Sequence, residues 1–182
     1  MRSRVAAIAG IAAVVSVIAL LPQALAAFGT AVAPSAPTTV AGKGVTQVKV
    51  VKDAGPVSTT SSNWLTVAST TVTVPSSTQA LVLARFSAIS TCTTTTGSNG
   101  LCFARIQVGG VNATPSGFNI FDDDNDDPVV DTFEANSMDR SRGPLGPGTY
   151  TVAVQISTST AASNTTFMAV RDYSLTVERV RV

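Results

Sequence analysis

Residues Phe121 to Glu134 read FDDDNDDPVVDTFE and hold seven of the chain's eleven carboxylates, with no Lys or Arg between Arg105 and Arg140 to offset them. Carboxylate oxygens at this density suit a hard cation, since calcium takes roughly six to eight oxygen ligands and tolerates irregular geometry. Counted from Asp123, the EF-hand ligand positions fall on Asp123, Asn125, Asp127, Asp131 and Glu134, with Val130 at the usual apolar position. The glycine that makes the sharp turn of such a loop is replaced by Pro128, whose ring fixes φ near about −65°. The flanks GFNIF and ANSMDRSRGPLGPG also lack helical periodicity, so an EF-hand is excluded. Two readings stay open. Asp122, Asp124, Asp126, Asp127 and Asp131 gather around Ca2+ in a hairpin loop, or the segment is a solvated turn in which Asp and Asn bond their own backbone.

Other chemistry is narrowed by what the chain lacks. Histidine is absent from all 182 residues, which removes His-based triads, Cys-His dyads and His-ligated metal centres. The lysines are Lys43, Lys49 and Lys52, and Gly42-Lys43 lacks P-loop spacing. A pair of mutually exposed aspartates offers no reason for one raised pKa, so glycoside hydrolysis has no support either. The expectation is a protein that is not an enzyme.

Cys92 and Cys102 flank TTTTGSNGL, and in an exported chain this spacing reads as an intramolecular disulfide stapling two neighbouring strands. Export itself is read from MRSRVAAIAGIAAVVSVIALLPQALA, where Arg2 and Arg4 precede an apolar run that ends at Pro22 and Ala24-Leu25-Ala26. This is the pattern of a signal peptide, residues 1–26, cleaved after Ala26. The cleaved chain has ten basic and eleven acidic side chains, a balance that argues against nucleic-acid binding, and no span remains to cross a membrane. Residues 27–44, AFGTAVAPSAPTTVAGKG, read as a flexible leader.

The elements that would position any site are strands. Val and Thr dominate, and β-branched side chains suit a pleated surface. VTQVKVVK, Trp64 to Ala68, Thr70 to Val74 and the two-faced apolar run Gln79 to Ser90 read as successive strands, the last one central and covered on both faces. After the cysteine loop, Cys102, Ala104, Ile106 and Val108 alternate with Phe103, Arg105 and Gln107. Phe118 to Phe121 and Thr132 to Arg140 bracket the acidic run as a hairpin, and the Pro147-Gly148 turn launches TYTVAVQIS. The last run places Phe167, Ala169, Tyr173, Leu175 and Val177 on one face, with a bulge near Val177 to Arg179. Phe86, Phe103, Tyr150 and Phe167 are expected in the core; Trp64, which follows the polar run Ser58 to Asn63 and opens a strand, is also expected there, with an exposed position as the alternative. The expected fold is all-β, an antiparallel β-sandwich or jelly roll of about eight to ten short strands in one domain, residues 45–182, with one disulfide.

GPLGPGTYTVAVQIS followed by TFMAVRDYSLTVERV resembles the closing strands of C1q and tumour-necrosis-factor-type jelly rolls, in which a P-G-x-Y strand pairs with a terminal L-x-V strand. The spacing Cys92, Cys102, Arg105, Ile106 and the stretch Glu134 to Ser141 also resemble a group of uncharacterised secreted bacterial β-sandwich proteins. The resemblance covers Trp64 to Val182 and implies a fold, not an activity. The functional expectation is a secreted or envelope-associated binding or cell-surface interaction module whose ligand is a protein or glycan. Its alternatives are a calcium-dependent glycan-binding domain using Asp122 to Asp131, and a structural subunit of a surface assembly.

Overall fold

A computed structural model describes residues 43–94, 100–123, 133–161 and 164–182. The expected signal peptide, the leader up to residue 42, and Asp124, Asp126, Asp127 and Asp131 lie outside these residues. Eleven strands follow in order: β1 (Val45–Asp53), β2 (Val57–Thr59), β3 (Leu65–Val74), β4 (Ala80–Thr94), β5 (Leu101–Val108), β6 (Val111–Asn112), β7 (Asn119–Asp123), β8 (Glu134–Leu145), β9 (Gly148–Thr158), β10 (Thr160–Ala161) and β11 (Asn164–Arg181).

The strands form two antiparallel sheets within one compact unit, Thr39–Val182. The first runs β1-β11-β4-β8, with β2 and β10 added along β11. The second runs β3-β9-β5-β6, and β7 also pairs with β5. With the short β2, β6 and β10 set aside, successive strands alternate between sheets except for β5 and β7, which pair within the second, so that β1 lies beside β11 and β3 beside β9, the strand order of a jelly roll. The P-G-x-Y strand β9 and the closing strand β11 do not pair. They sit in opposite sheets.

Between the sheets lies a core that the alternation dictates. Val82, Ala84 and Phe86 from β4 and Leu175 and Val177 from β11 face Ile106 and Val108 from β5 and Val152, Val154 and Ile156 from β9. Phe86, Ile106, Ile156, Met168 and Leu175 are the largest side chains wholly removed from water. Each such side chain contributes about 1.5 to 3 kcal/mol over an exposed one, which is why an alternating Val-Ile-Leu pattern commits a strand to one face.

The open flanks of the sandwich are closed by polar ties. Arg142 on β8 donates to the carbonyl of Val108, joining the sheets on one side. Arg179 on β11 donates to the carbonyl of Thr73, and Lys49 Nζ bonds Thr71 Oγ1 at 3.4 Å on the other. Inside, the buried Tyr173 hydroxyl donates to the carbonyl of Val67 at 3.2 Å. Cys92 and Cys102 form the expected disulfide, both fully buried, but it links β4 of one sheet to β5 of the other.

Several expectations change. The acidic run does not close a hairpin, because β7 pairs with β5 in the second sheet and β8 pairs with β4 in the first. The chain therefore crosses between sheets from Asp123 to Glu134. The bulge in the last strand lies between Arg171 and Ser174, where Asp172 has φ 48°, a left-handed conformation that Asp tolerates. This moves the phase, so Met168 and Val170 point inward while Phe167 is 37% exposed. β4 is central in its sheet, yet Leu81, Leu83, Ser87 and Ile89 on its outer side are only half-buried and Arg85 is exposed. β4 and β11, at 15 and 18 residues, are also longer than the short strands expected.

Candidate functional site: an aromatic and polar face on the second sheet

On β5 the inward residues Cys102, Ala104, Ile106 and Val108 force Phe103, Arg105 and Gln107 onto the outer face. The register then fixes their neighbours. Phe103 lies between Ile120 of β7 and Ser157 of β9. Arg105 lies opposite Gln155, which in turn lies opposite Thr66 of β3. Gln107 is flanked by Asn112 and Ala153, and Thr151 and Thr149 pair with Thr71 and Thr73 farther along. The result is a surface with an aromatic end and a hydroxyl and amide end.

Phe103 and Phe118 meet edge to face, with centroids 4.9 Å apart at 69°. Phe118 also lies 6.0 Å from the Trp64 ring. The Arg105 guanidinium stacks over that ring at 4.1 Å and donates from Nε to Gln155 Oε1 at 2.8 Å. Gln155 Nε2 continues to Thr66 Oγ1 at 3.2 Å, and Gln107 Nε2 donates to Asn112 Oδ1 at 3.1 Å. Burial beneath the rings pulls the Arg105 pKa below its ordinary value. The guanidinium stays charged because its ordinary value lies so far above neutrality.

These contacts place rigid rings where water reaches them. Phe118 is 59% and Ile120 57% exposed, although each sits in a cluster whose other members are held in place. Trp64 and Phe103, expected in the core, are instead half-buried on this outer face, and Phe86 is fully buried as expected. Tyr150 packs partly against the core, its hydroxyl bonding the carbonyl of Gly146 at 3.0 Å. The signal for the outer face was the phase of β5. An arginine at the middle position of Phe103, Arg105, Gln107 could not share the interior with Ile106.

Asp122 lies within β7 opposite Cys102, is 8% exposed, and accepts the backbone N–H of Asp123 at 3.0 Å. Asp124, Asp126, Asp127 and Asp131 lie outside the described residues. Among the described residues no three Asp, Glu or Cys side chains converge to hold a metal ion. A concavity of about 360 Å³ lies on the first sheet, where Thr114 and Pro115 fold over Arg85, Asp139, Arg140 and Glu178. There the Arg85 and Asp139 side chains, both largely exposed, satisfy each other at 2.7 Å, and the Asp139 contact raises the Arg85 pKa. Ion pairs this exposed contribute little.

Chemically, the aromatic face can stack flat apolar groups and exchange hydrogen bonds through amides and hydroxyls. No protein-family model matches this sequence, and no curated protein matches it significantly. Among the described residues, no helix is long and apolar enough to cross a membrane.

Proposed function

We propose that this chain is a non-enzymatic, secreted β-sandwich that acts as a binding module at the cell surface or in the medium, and that it binds through the outer face of the second sheet. The observation that carries this reading is the exposure of Phe118 and Ile120 within a fixed cluster of Trp64, Phe103 and Arg105. Contiguous exposed apolar surface with a polar rim is characteristic of interaction sites. Secretion is supported by the signal-like first 26 residues and by a disulfide suited to an oxidising compartment. A chain without histidine lacks the commonest general base, which supports a non-catalytic role.

The test is co-sedimentation of the purified mature protein with envelope material from the producing cell. Wild type is expected in the pellet, the double variant Phe118→Ala, Ile120→Ala in the supernatant, and Val48→Ala, on the other sheet, in the pellet. Equal recovery of all three would remove this face from the account.

One observation favours a second reading, a structural subunit. β1 ends its sheet and exposes Val45, Val48 and Val50 by 50 to 55%. Edge strands of that character pair readily with other chains. Light scattering across concentration decides it, and a strict monomer at every concentration would retire the subunit.

A further inference from the structure

The ligand chemistry follows from what the second sheet's outer face offers and withholds. Among the outward positions of β3, β5 and β9, Arg105 alone carries a charge. That charge is already engaged, stacked on Trp64 and bonded to Gln155. At its margins Asp123 on β7 adds one exposed carboxylate opposite Leu101, and Lys49 Nζ reaches Thr71 Oγ1 at 3.4 Å; between these edges a polyanion would find no array of free cations, and a basic partner no cluster of carboxylates. What remains is neutral and amphiphilic. Phe118, Ile120 and the half-buried Trp64 and Phe103 offer apolar surface, while Gln107, Thr66 and the threonine pairs farther along β3 and β9 present amides and hydroxyls beside it.

A chain of β-linked pyranose rings has the complementary chemistry. Its ring faces carry C–H groups that stack on aromatic rings, and its rim carries hydroxyls that both donate and accept. The polar residues opposite them have the same dual capacity. From β7 to β3 the face spans three interstrand gaps, about 14 Å at ~4.8 Å each, room for a short run of sugar rings. We infer that the face formed by Trp64, Phe103, Phe118, Ile120, Gln155 and Thr66 binds a neutral β-linked polysaccharide. The inference rests on the reading of this face as the ligand surface and names the ligand's class.

The chain's single tryptophan reports the site directly, because Trp64 is part of it. The experiment titrates the mature protein with neutral β-1,4-linked glucose and N-acetylglucosamine oligomers and with a sulfated polysaccharide, following Trp64 fluorescence. In parallel, envelope material is tested for co-sedimentation before and after protease treatment. The inference expects a saturable fluorescence change with a neutral oligomer, insensitive to moderate salt, weakened about tenfold or more by Phe118→Ala and unchanged by Val48→Ala. Phe118 is exposed, so its removal leaves the core intact, and circular dichroism of the variant verifies that. A response confined to the sulfated polymer and lost in salt would overturn neutrality. No response to any oligomer, with envelope binding that protease treatment abolishes, would make the partner a protein and overturn the inference while leaving the binding face standing. Loss of both signals would overturn the two readings together.

Discussion

Opening the Cys92 and Cys102 disulfide should cost a definite and calculable amount. The bond closes a loop of about eleven residues, and chain entropy lost by the unfolded state amounts to about 9 cal/mol/K, or about 2.8 kcal/mol at 25 °C. Reduction without substitution isolates that contribution, because both sulfurs stay in their buried sites. The double variant Cys92→Ala, Cys102→Ala adds the loss of two buried sulfur atoms, about 1 kcal/mol each if they behave like deleted methylene groups. The expected losses are therefore about 2.8 kcal/mol on reduction and about 4 to 5 kcal/mol for the variant. In melting temperature, reduction alone corresponds to a fall of about 6 to 11 °C for a domain near this size. Guanidinium denaturation with and without reductant measures the difference, and thiol counting by mass spectrometry verifies that reduction is complete. A fully reduced protein whose midpoint shifts by less than about 0.5 kcal/mol would refute the loop-closure reasoning. It would mean that the sheets hold β4 and β5 together without the bridge.

Other perturbations follow from single contacts. Arg142→Met keeps an apolar stem but leaves the Val108 carbonyl without its donor, and should destabilise the domain by about 1 to 3 kcal/mol in chemical denaturation. Tyr173→Phe removes the bond to the Val67 carbonyl and should cost about 1 to 2 kcal/mol near neutral pH. Burial, with the nearby Asp53 carboxylate, raises the Tyr173 pKa. Its contribution is therefore complete below the ordinary phenol value near about 10 and lost as pH rises through the higher folded value, so stability against pH should fall less steeply in the Phe variant at alkaline pH. If Asp122 to Asp131 hold no cation, the melting midpoint is unchanged in about 5 mM calcium, above the affinity range of weak extracellular sites. A rise that chelator reverses would instead place a cation among Asp122 and its neighbours.

The parts of this fold legible in the sequence were those set by local alternation. The two-faced alternation of β5, the turn at Pro147-Gly148 and the pairing of Cys92 with Cys102 all stand in the structure as read. Sheet membership was not legible, because whether β7 pairs with β8 or β5 is decided by side chains far away in sequence. Phe121 illustrates it: its ring packs 5.5 Å from Phe86 across the core, a contact that no local pattern encodes. In β11 the bulge was misplaced because apolar residues occupy both phases around it. Phe167 and Ala169 compete with Met168 and Val170, and only the left-handed Asp172 settles which pair turns inward. The candidate face was hidden for a different reason. Residue type favours the interior for Trp64 and Phe103, while the alternation around Arg105 places Phe103 outside. The acidic segment drew attention through its charge density, yet its described ends belong to different sheets.

A ligand seated on the outer face of the second sheet must cover Trp64. Iodide quenching of its fluorescence, measured on the free protein and on the protein bound to envelope material, reads whether the ligand covers this face. Bound protein is expected to be quenched markedly less than free protein, with protection lost in the Phe118→Ala, Ile120→Ala variant. Equal quenching of free and fully bound protein would show that binding occurs elsewhere and would contradict the assignment.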